Sequence, residues 1–488
     1  EKLKNNRFDL DAILLRAESA EQLNLSSQAI ADYEQYLTIS TDIEARARVE
    51  DKLNAVRQKQ TEIVAVEPTS YERLNKLIDD YLKAFIEGNS VAATDNLETA
   101  KAIAILMLKD TGERVGIDTV EYYSKVSIDA AQQLLDTRQE IEEISKIAAV
   151  DKFEESIHKL EKAKNIFTQH QAISDIQRTI FLLAKFLIKA DKVNTAKNEV
   201  NTWLKVAEEK SYLFNKAQLL YQQGQISVIE GVEQLSIQKA SESLEICRML
   251  YAGKFLLYPL LLVSQVYSAA GVEEITFIKS TEGVIKSLEY QNPGFFCQFL
   301  NRAGVASFGL KTPDLAEAYL RESLRVSQKE NLHGYTAVTK SILAALLAEK
   351  GNLTEAKFLI EEAKVKDAAK TLDLMARKQQ LFRIRAYEGK IYGLAKDFNK
   401  SERSYKEAIK IAAEVGYKQI AGFHHYKQGL AEALYEQGKK DEALKEILEA
   451  KEMQRKLLLN LQVESKNRLL KVNFSTKEIE ELIDLIQR

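Results

Sequence analysis

Small residues recur every forty positions through the middle of the chain, among aliphatic and aromatic residues whose pattern predicts helices. The first column comprises Ser156, Ala196, Ser236, Thr276, Ala316 and Ala356. A second column lies seven positions further on and is small at every position except Trp203: it comprises Ala163, Trp203, Ser243, Gly283, Ser323 and Ala363. A third column comprises Ala184, Gly224, Ser264, Gly304 and Ala344. Three columns in one register indicate an internal repeat.

Each repeat is predicted to be a helical hairpin. The first helix carries the third small column where its partner crosses closely, and the second helix presents the other two columns on one face. Turns between the two helices are predicted at Asp191, Gly231, Gly271, Lys311 and Gly351. One hairpin cannot bury both of its faces alone, so neighbouring hairpins must stack. The predicted fold is therefore an all-α solenoid.

Length and composition agree with a repeat array. The chain has 488 residues, more than one compact core usually supports, which leaves several domains or an open array. Only 4 prolines and 19 glycines occur in it, as long helices with few sharp corners require. No alternating β-branched run of convincing length predicts a strand.

The repeated positions resemble the tetratricopeptide repeat. The best copies are Leu343, Ala344, Leu347, Gly351, Ala356, Ile360 and Ala363, then Gly389, Tyr392, Ser401, Tyr405 and Ala408, then Leu430, Ala431, Leu434, Gly438, Ala443, Ile447 and Ala450. The resemblance implies a right-handed superhelix of about eight hairpins over residues 153–453, with the first helices lining a concave groove. The period is 40 residues and later 45 and 42, against the usual 34, so we expect longer helices.

Outside the array the pattern is less regular. Residues 1–62 are predicted to hold one hairpin similar to the repeats, followed by a break that contains Pro68. Residues 71–150 are predicted to form an irregular helical bundle, either a cap on the array or a separate small domain. Residues 454–488 are predicted to be helices that lead to a further domain.

No catalytic, metal or cofactor site is predicted. The sequence lacks a Walker-type glycine loop, a dinucleotide-binding glycine motif and a G-x-S-x-G elbow. His424 and His425 are adjacent on a predicted helix and cannot chelate one metal together. Cys247 and Cys297 are predicted to be buried structural thiols. We therefore expect a protein that is not an enzyme.

The charge balance argues against nucleic-acid and anionic-membrane partners. The chain has 69 Lys and Arg residues and 72 Asp and Glu residues, a formal charge of −3, whereas such partners need a basic excess on one face. No apolar run approaches the roughly 18 to 20 residues of a membrane span. With two cysteines, a reducing cytoplasm is expected, and an exported mature chain remains the alternative.

Binding is predicted in the groove that the resemblance implies. Counting around each first helix from its small position gives the candidate residues Arg178, Phe181, Lys185, Tyr221, Gln225, Tyr258, Gln265, Gln298, Asn301, Phe308, Arg383, Lys390, His425 and Gln428. Gln225 and Gln265 lie one period apart, as amides that pair with an extended peptide backbone would. Exposed Tyr and Phe in a concavity suit apolar anchors. The set does not reproduce the Lys/Asn clamp of similar co-chaperones, which disfavours an adaptor for chaperone tails.

Three functions follow as hypotheses. The first is a bacterial interaction scaffold that binds a protein or peptide segment. The second is the regulatory arm of a larger protein, because the array resembles the region that precedes CHAT caspase-like peptidase domains and also the sensor arms of signalling kinases and transcription activators. The third is a peptide-signal receptor, which would need an N-terminal three-helix bundle within residues 71–150.

Overall fold

The computed structural model describes residues 10, 13–14, 17–18, 21, 26–40, 42–61, 69–146, 152–364, 374–414, 423–462 and 474–487. Every regular element within these ranges is a helix. The chain divides into two compact units, one of Glu1–Glu67 with Val284–Pro293 and the other of Pro68–Gly283 with Gly294–Arg488.

The first unit contains a helical hairpin. Helix α1 spans Ser26–Ile39 and α2 spans Ile43–Thr61. Their shared core contains Ala29 and Tyr33 from α1 and Leu53 from α2, packed with Ile13 and Ala17. A small residue and a ring on one helix thus meet aliphatic side chains of the other, as in the repeats.

Four helices open the second unit: α3 (Ser70–Ile86), α4 (Ser90–Thr111), α5 (Val115–Tyr123) and α6 (Ile128–Ser145). Their ends follow local rules. Thr69 and Glu72 form a reciprocal capping box at the start of α3, and Asn89 caps α4 through its side chain. Gly112, with φ of 76°, ends α4 in the left-handed conformation that glycine adopts without strain.

The repeats follow as a regular series of helices: α7 (Phe153–Gln169), α8 (Ile173–Lys189), α9 (Val193–Glu209), α10 (Leu213–Ile229), α11 (Glu233–Met249), a 3₁₀ turn (Gly253–Leu256) continued by α12 (Leu257–Ala269), α13 (Glu273–Glu289), α14 (Pro293–Gly309), α15 (Pro313–Lys329), α16 (His333–Glu349), α17 (Leu353–Lys364), α18 (Leu374–Leu394), α19 (Phe398–Glu414), α20 (Phe423–Tyr435), α21 (Lys440–Gln462) and α22 (Phe474–Gln487). The first helices of the hairpins are α8, α10, α12, α14, α16, α18 and α20.

The forty-residue period is confirmed and consists of two equal halves. From α7 to α16 each helical segment is 17 residues long and each connection has three residues. Every twentieth residue has a positive φ, as at Asp191 (61°) and Gly351 (85°). After α8, for example, the Asp191 N–H donates to Ile188 O (3.2 Å) and the Lys192 N–H to Leu187 O (2.8 Å), a Schellman pair that closes the helix.

The small columns lie where helices cross, as predicted. A Cβ on Gly304 would lie 2.9 Å from Cγ of Leu320 and 3.2 Å from the carbonyl oxygen of Ala316. The hydroxyls of Ser264 and Ser280, on the two helices of one hairpin, are 2.7 Å apart and buried. Short side chains thus bring the two backbones together and pair their polar atoms inside the contact.

Helices α3–α6 pack on the start of the repeats, and whether they act as a cap stays a prediction. Arg138 of α6 is fully buried and donates from Nε to Asp79 of α3 (2.6 Å) and from a terminal nitrogen to Asp175 of α8. Asp175 also accepts a hydrogen bond from the Tyr123 hydroxyl at 2.7 Å.

A second buried contact ties the cap to α10. The carboxylate of Glu113 accepts from the Tyr71 hydroxyl (2.6 Å) and from the backbone N–H groups of Val115 (2.9 Å) and Phe214 (2.7 Å). It therefore satisfies free N–H groups at the starts of both α5 and α10. In the part of the chain that the structure describes, no helix is both long and apolar enough to cross a membrane.

Candidate functional site

Most of the candidate residues are half-buried side chains of the first helices, and we call the surface formed by the half-buried side chains of α8, α10, α12, α14, α16, α18 and α20 the inner face. The half-buried members of the predicted set are Arg178, Phe181, Lys185, Tyr221, Gln225, Tyr258, Gln265, Gln298, Phe308, Arg383 and Lys390. Counting around the helices therefore places these residues on an accessible side, and their role in binding stays a prediction.

Aromatic rings from consecutive first helices meet in one cluster. Phe255 lies at its centre, with ring centroids of Phe181 at 5.6 Å, Phe214 at 5.5 Å, Tyr221 at 6.0 Å and Tyr258 at 5.6 Å. Most of these contacts are edge to face, the arrangement that aromatic quadrupoles favour. We call these five rings the aromatic cluster.

Buried rings support the accessible ones. Phe255 is buried, and Tyr258 contacts the buried Phe295 at 4.8 Å. Sequence reasoning missed Phe255, Phe214 and Phe295 as parts of this surface. The run of rings at Phe295 and Phe296 was visible, but only packing shows which ring faces Tyr258.

Two predicted amides hold aromatic hydroxyls in place. The Gln225 side-chain N–H donates to the Tyr221 hydroxyl at 3.0 Å, and the Gln298 side-chain N–H donates to the Tyr335 hydroxyl at 3.1 Å. Gln265 is half-buried on α12 between them in sequence. On this face, the amides of Gln225 and Gln298 are thus each hydrogen-bonded to a tyrosine hydroxyl.

Two amides of the predicted set are buried and cannot reach a partner. Asn301 is 6% exposed, and its amide exchanges hydrogen bonds with the Thr339 hydroxyl at 3.0 and 3.1 Å. Gln428 is 9% exposed and donates to Glu432 at 3.1 Å. At both positions the side chain faces a neighbouring part of the protein, so these two places in the groove prediction need correcting.

Basic residues gather on the later first helices. Arg302 of α14 and Arg383 of α18 are both half-buried, and the buried Nε of Arg302 has no hydrogen-bond partner among the described residues. Burial and the neighbouring Arg383 lower the pKa of Arg302 to about 9. We call Arg302 and Arg383 the arginine pair.

The surroundings of the arginine pair are aromatic. Arg383 lies 5.8 Å from the ring centroid of Phe382, and Lys390 lies 6.0 Å from that of Phe308. Lys390 forms an ion pair with Glu349, so its charge is compensated within the protein.

Strict counting missed Arg302 because the accessible side of the first helices turns along the array. The equivalent positions one, two and three periods earlier are Leu262, Gln222 and Leu182, all buried. When the repeats are aligned, Arg302 therefore falls in a column of buried core residues. In the structure it is accessible, whereas Asn301, in the column of Phe181 and Tyr221, is buried.

The other cations of the predicted set have local partners. Arg178 is paired with Glu142 of α6 at 2.7 Å, which adds a surface contact between the cap and α8. The ammonium of Lys185 lies 5.9 Å from the ring centroid of Phe186. His425 reaches solvent on α20, yet the surrounding protein and Lys390 lower its pKa to about 4, so its ring is neutral at pH 7.

Cysteine and histidine side chains are not gathered into a reactive site. Cys247 and Cys297 are fully buried, and burial raises their pKa to about 12 and about 11 respectively, which keeps both as thiols. His158 and His333 are exposed, while His424 is buried. Among the described residues no group of three or more His, Cys, Asp or Glu could hold a metal ion.

The similarity of this chain to known proteins lies in its fold. No protein-family model matches the sequence, and no curated protein matches it. Among solved structures, a Rap protein complexed with Competence and Sporulation Factor is 12% identical, with a TM-score of 0.50 over 80% of this chain and 99% of that one. The apo form of RapI is 15% identical, with a TM-score of 0.46 over 58% of this chain and 99% of that one. Yeast Tom70 is 14% identical, with a TM-score of 0.34 over the full length of both chains.

The predicted tetratricopeptide-type fold is confirmed by the stacked hairpins and by the likeness to the Rap protein. At 12% identity that likeness extends to the fold alone. The regulatory-arm resemblance to CHAT-associated arrays stays a prediction.

Proposed function

We propose that this chain is an interaction scaffold that binds an extended peptide or protein segment along its inner face. The observation that carries the proposal is the recurrence of accessible rings and amides on consecutive first helices, at Tyr221 and Gln225, at Tyr258 and Gln265, and at Gln298. Rings can anchor apolar side chains of a partner, and amides can pair with its backbone.

The environment of these side chains supports a recessed surface. Tyr221 and Tyr387 keep solvent-accessible surface, yet burial raises the pKa of both hydroxyls. Both side chains are therefore partly enclosed by protein while still reached by water. Concave, largely apolar surfaces with a few polar groups are the usual binding sites of proteins.

A peptide is the favoured partner class. The Rap protein of similar fold was solved with Competence and Sporulation Factor, and helices α3–α6 form a bundle ahead of the repeats, where the peptide-receptor hypothesis expects a bundle of three helices. The bundle has four helices rather than three. The regulatory-arm alternative uses the same inner face, with catalytic residues outside the chain.

The test uses a synthetic library of random octapeptides with free carboxyl ends. Peptides retained by the immobilised protein are identified by mass spectrometry, resynthesised and titrated by calorimetry. We expect 1:1 binding that weakens about tenfold or more when Gln225 and Gln298 are both changed to Ala, since each loses about one hydrogen bond and supports a ring.

The matched control is Gln238→Ala. This glutamine lies exposed on the second helix α11, where its amide donates to Glu242 at 2.8 Å. The control should bind as the unaltered protein does. If the library yields no ligand, or if the double variant binds as tightly as the control, the inner-face proposal is wrong.

A further inference from the structure

Helix α4 buries small residues and exposes large ones. Its buried side chains are those of Ala93, Ala100, Ala104 and Met107. Ile105, Leu106 and Leu108 are instead 37%, 57% and 40% exposed. In an amphipathic helix the large aliphatic side chains face the core, so α4 has nearly the reverse arrangement.

Close packing explains the small residues on the buried side of α4. A Cβ on Gly116 of α5 would lie 3.0 Å from the Cβ of Ala104 and 3.1 Å from its Cα. The two helices therefore touch at this point and leave no room for a longer side chain on α4. The same packing gives no reason for large aliphatic residues on the opposite side of the helix.

Those aliphatic residues form one patch. Ile105 and Leu106 lie three and four positions after the exposed Ala102, and Leu108 lies three positions after Ile105. Residues at these spacings are neighbours on a helix surface. A continuous exposed apolar patch is typical of a surface that contacts another protein, because burying it is favourable.

The charges on this side of α4 are arranged for contact with a copy of the same helix. Asp95 lies seven residues before Ala102 and Lys109 lies seven residues after it, and both are exposed. A spacing of seven keeps all three residues on one face of the helix. When two such helices run antiparallel and cross at Ala102, Asp95 of each copy faces Lys109 of the other. The face is therefore complementary to itself in charge.

We propose that α4 is the contact surface of a homodimer, in which the α4 helices of two copies pack antiparallel and cross at Ala102. The small side chain of Ala102 lets the two backbones approach closely. Ile105 and Leu106 of each copy then pack on Ala102 and Thr99 of the other, and two Asp95–Lys109 ion pairs flank this contact.

The two-fold symmetry makes the contact closed, so it produces dimers and not filaments. One helix from each copy is a small contact, and we expect the dimer to dissociate on dilution. This inference goes beyond the proposed function, because α4 contributes no residue to the inner face.

Sedimentation equilibrium of the full chain from about 2 to about 200 µM measures the association. We expect an equilibrium between monomer and dimer. Leu106→Gln should weaken the dimer about tenfold or more, since the symmetry removes two buried leucines at once. The matched control is Leu448→Gln, at a leucine that is 47% exposed on the second helix α21, and it should leave the association unchanged.

Exchange of the charges tests the antiparallel register. Asp95→Lys and Lys109→Asp should each weaken the dimer, because like charges then face each other at both ends of the contact. A mixture of these two variants should form a heterodimer, and the double variant D95K/K109D should form a homodimer again. In both cases two pairs of opposite charge are restored.

A cysteine at the crossing point provides a direct readout. The symmetry brings the two copies of residue 102 together, so Ala102→Cys should yield a disulfide-linked dimer on oxidation with diamide. Cys247 and Cys297 are fully buried, so the unaltered protein should not cross-link under the same conditions. All the altered residues are exposed, and circular dichroism melts check that each variant is folded.

Each outcome decides the inference. A chain that stays monomeric over the whole concentration range overturns it and leaves the α4 patch to a different partner. A dimer that is as stable in Leu106→Gln as in the control lies on another surface, and the inference is again wrong. If Leu106→Gln weakens the dimer but mixing the two charge variants restores nothing, the antiparallel contact at Ala102 is wrong.

Discussion

The ring of Tyr405 occupies the space that a side chain at Gly429 would need. A Cβ at position 429 would lie 2.3 Å from Cζ of Tyr405, and one at Gly389 would lie 2.8 Å from Cδ2 of the same ring. The ring therefore packs against both α18 and α20, at a glycine on each helix.

We expect Gly429→Ala to lower the free energy of unfolding by about 1 to 3 kcal/mol, because the overpacked ring must shift. The control is Gly393→Ala, where the nearest atom, Ser401 Oγ, is 3.3 Å away. Both changes gain similar helix propensity, so the difference between their denaturation midpoints isolates the clash. Equal midpoints would contradict the packing.

Arg138 is predicted to be the most sensitive polar position of the cap. Replacing it by Met leaves Asp175 buried without its counter-ion and should destabilise the second unit by about 3 to 5 kcal/mol. Arg455→Met, which breaks an exposed pair with Glu452 at 2.8 Å, should change stability by less than about 0.5 kcal/mol. Urea denaturation followed by circular dichroism measures both. A small effect at Arg138 would mean that the Asp175 carboxylate is solvated.

The stability of the array should depend on the ionisation of Glu273. Burial raises the pKa of this carboxyl to about 7, and its Oε2 has no hydrogen-bond partner among the described residues. The folded state therefore binds a proton more tightly than the unfolded state does. The stability that the folded state gains from protonated Glu273 is fully present below about pH 4.3, and it is lost as the pH rises through 7.

We expect Glu273→Gln, which cannot ionise, to be more stable than the unaltered protein by roughly 2 to 3 kcal/mol at pH 8 and equally stable near pH 4.5. Thermal melts of both proteins at the two pH values provide the measurement. The same difference at both pH values would show that this carboxyl does not titrate between them.

We expect two substitutions at left-handed turn positions to have opposite effects on stability. Gly351 has φ of 85° with no atom near its missing Cβ, so Gly351→Ala should cost about 1 kcal/mol through backbone strain alone. Tyr251 has φ of 50° and is 84% exposed, so Tyr251→Gly should relieve a similar strain without loss of packing. Melting temperatures should fall in the first variant and rise or stay constant in the second. A fall in both would mean that Tyr251 packs on the protein.

Local periodicity determined much of this protein from its sequence. Small residues at Ala184, Gly304 and Ala356, together with turn residues such as Gly351, predict helix length, helix crossings and the order of the hairpins. These properties can be predicted from the sequence because each depends on residues within about one hairpin. Within a hairpin, the spacing of the columns directly reflects backbone geometry. The same counting placed most of the candidate residues on an accessible side.

Tertiary structure alone decided which side chains share a surface and which charges are compensated. Arg302 is accessible and Asn301 is buried because the accessible side of the first helices turns along the array. A prediction from a fixed period assumes instead that the same positions are accessible in every repeat. Arg138 finds Asp175 across 37 positions, and Glu113 reaches Phe214 across 101. Such contacts arise from the sum of many small rotations between stacked helices, which no single column of residues records.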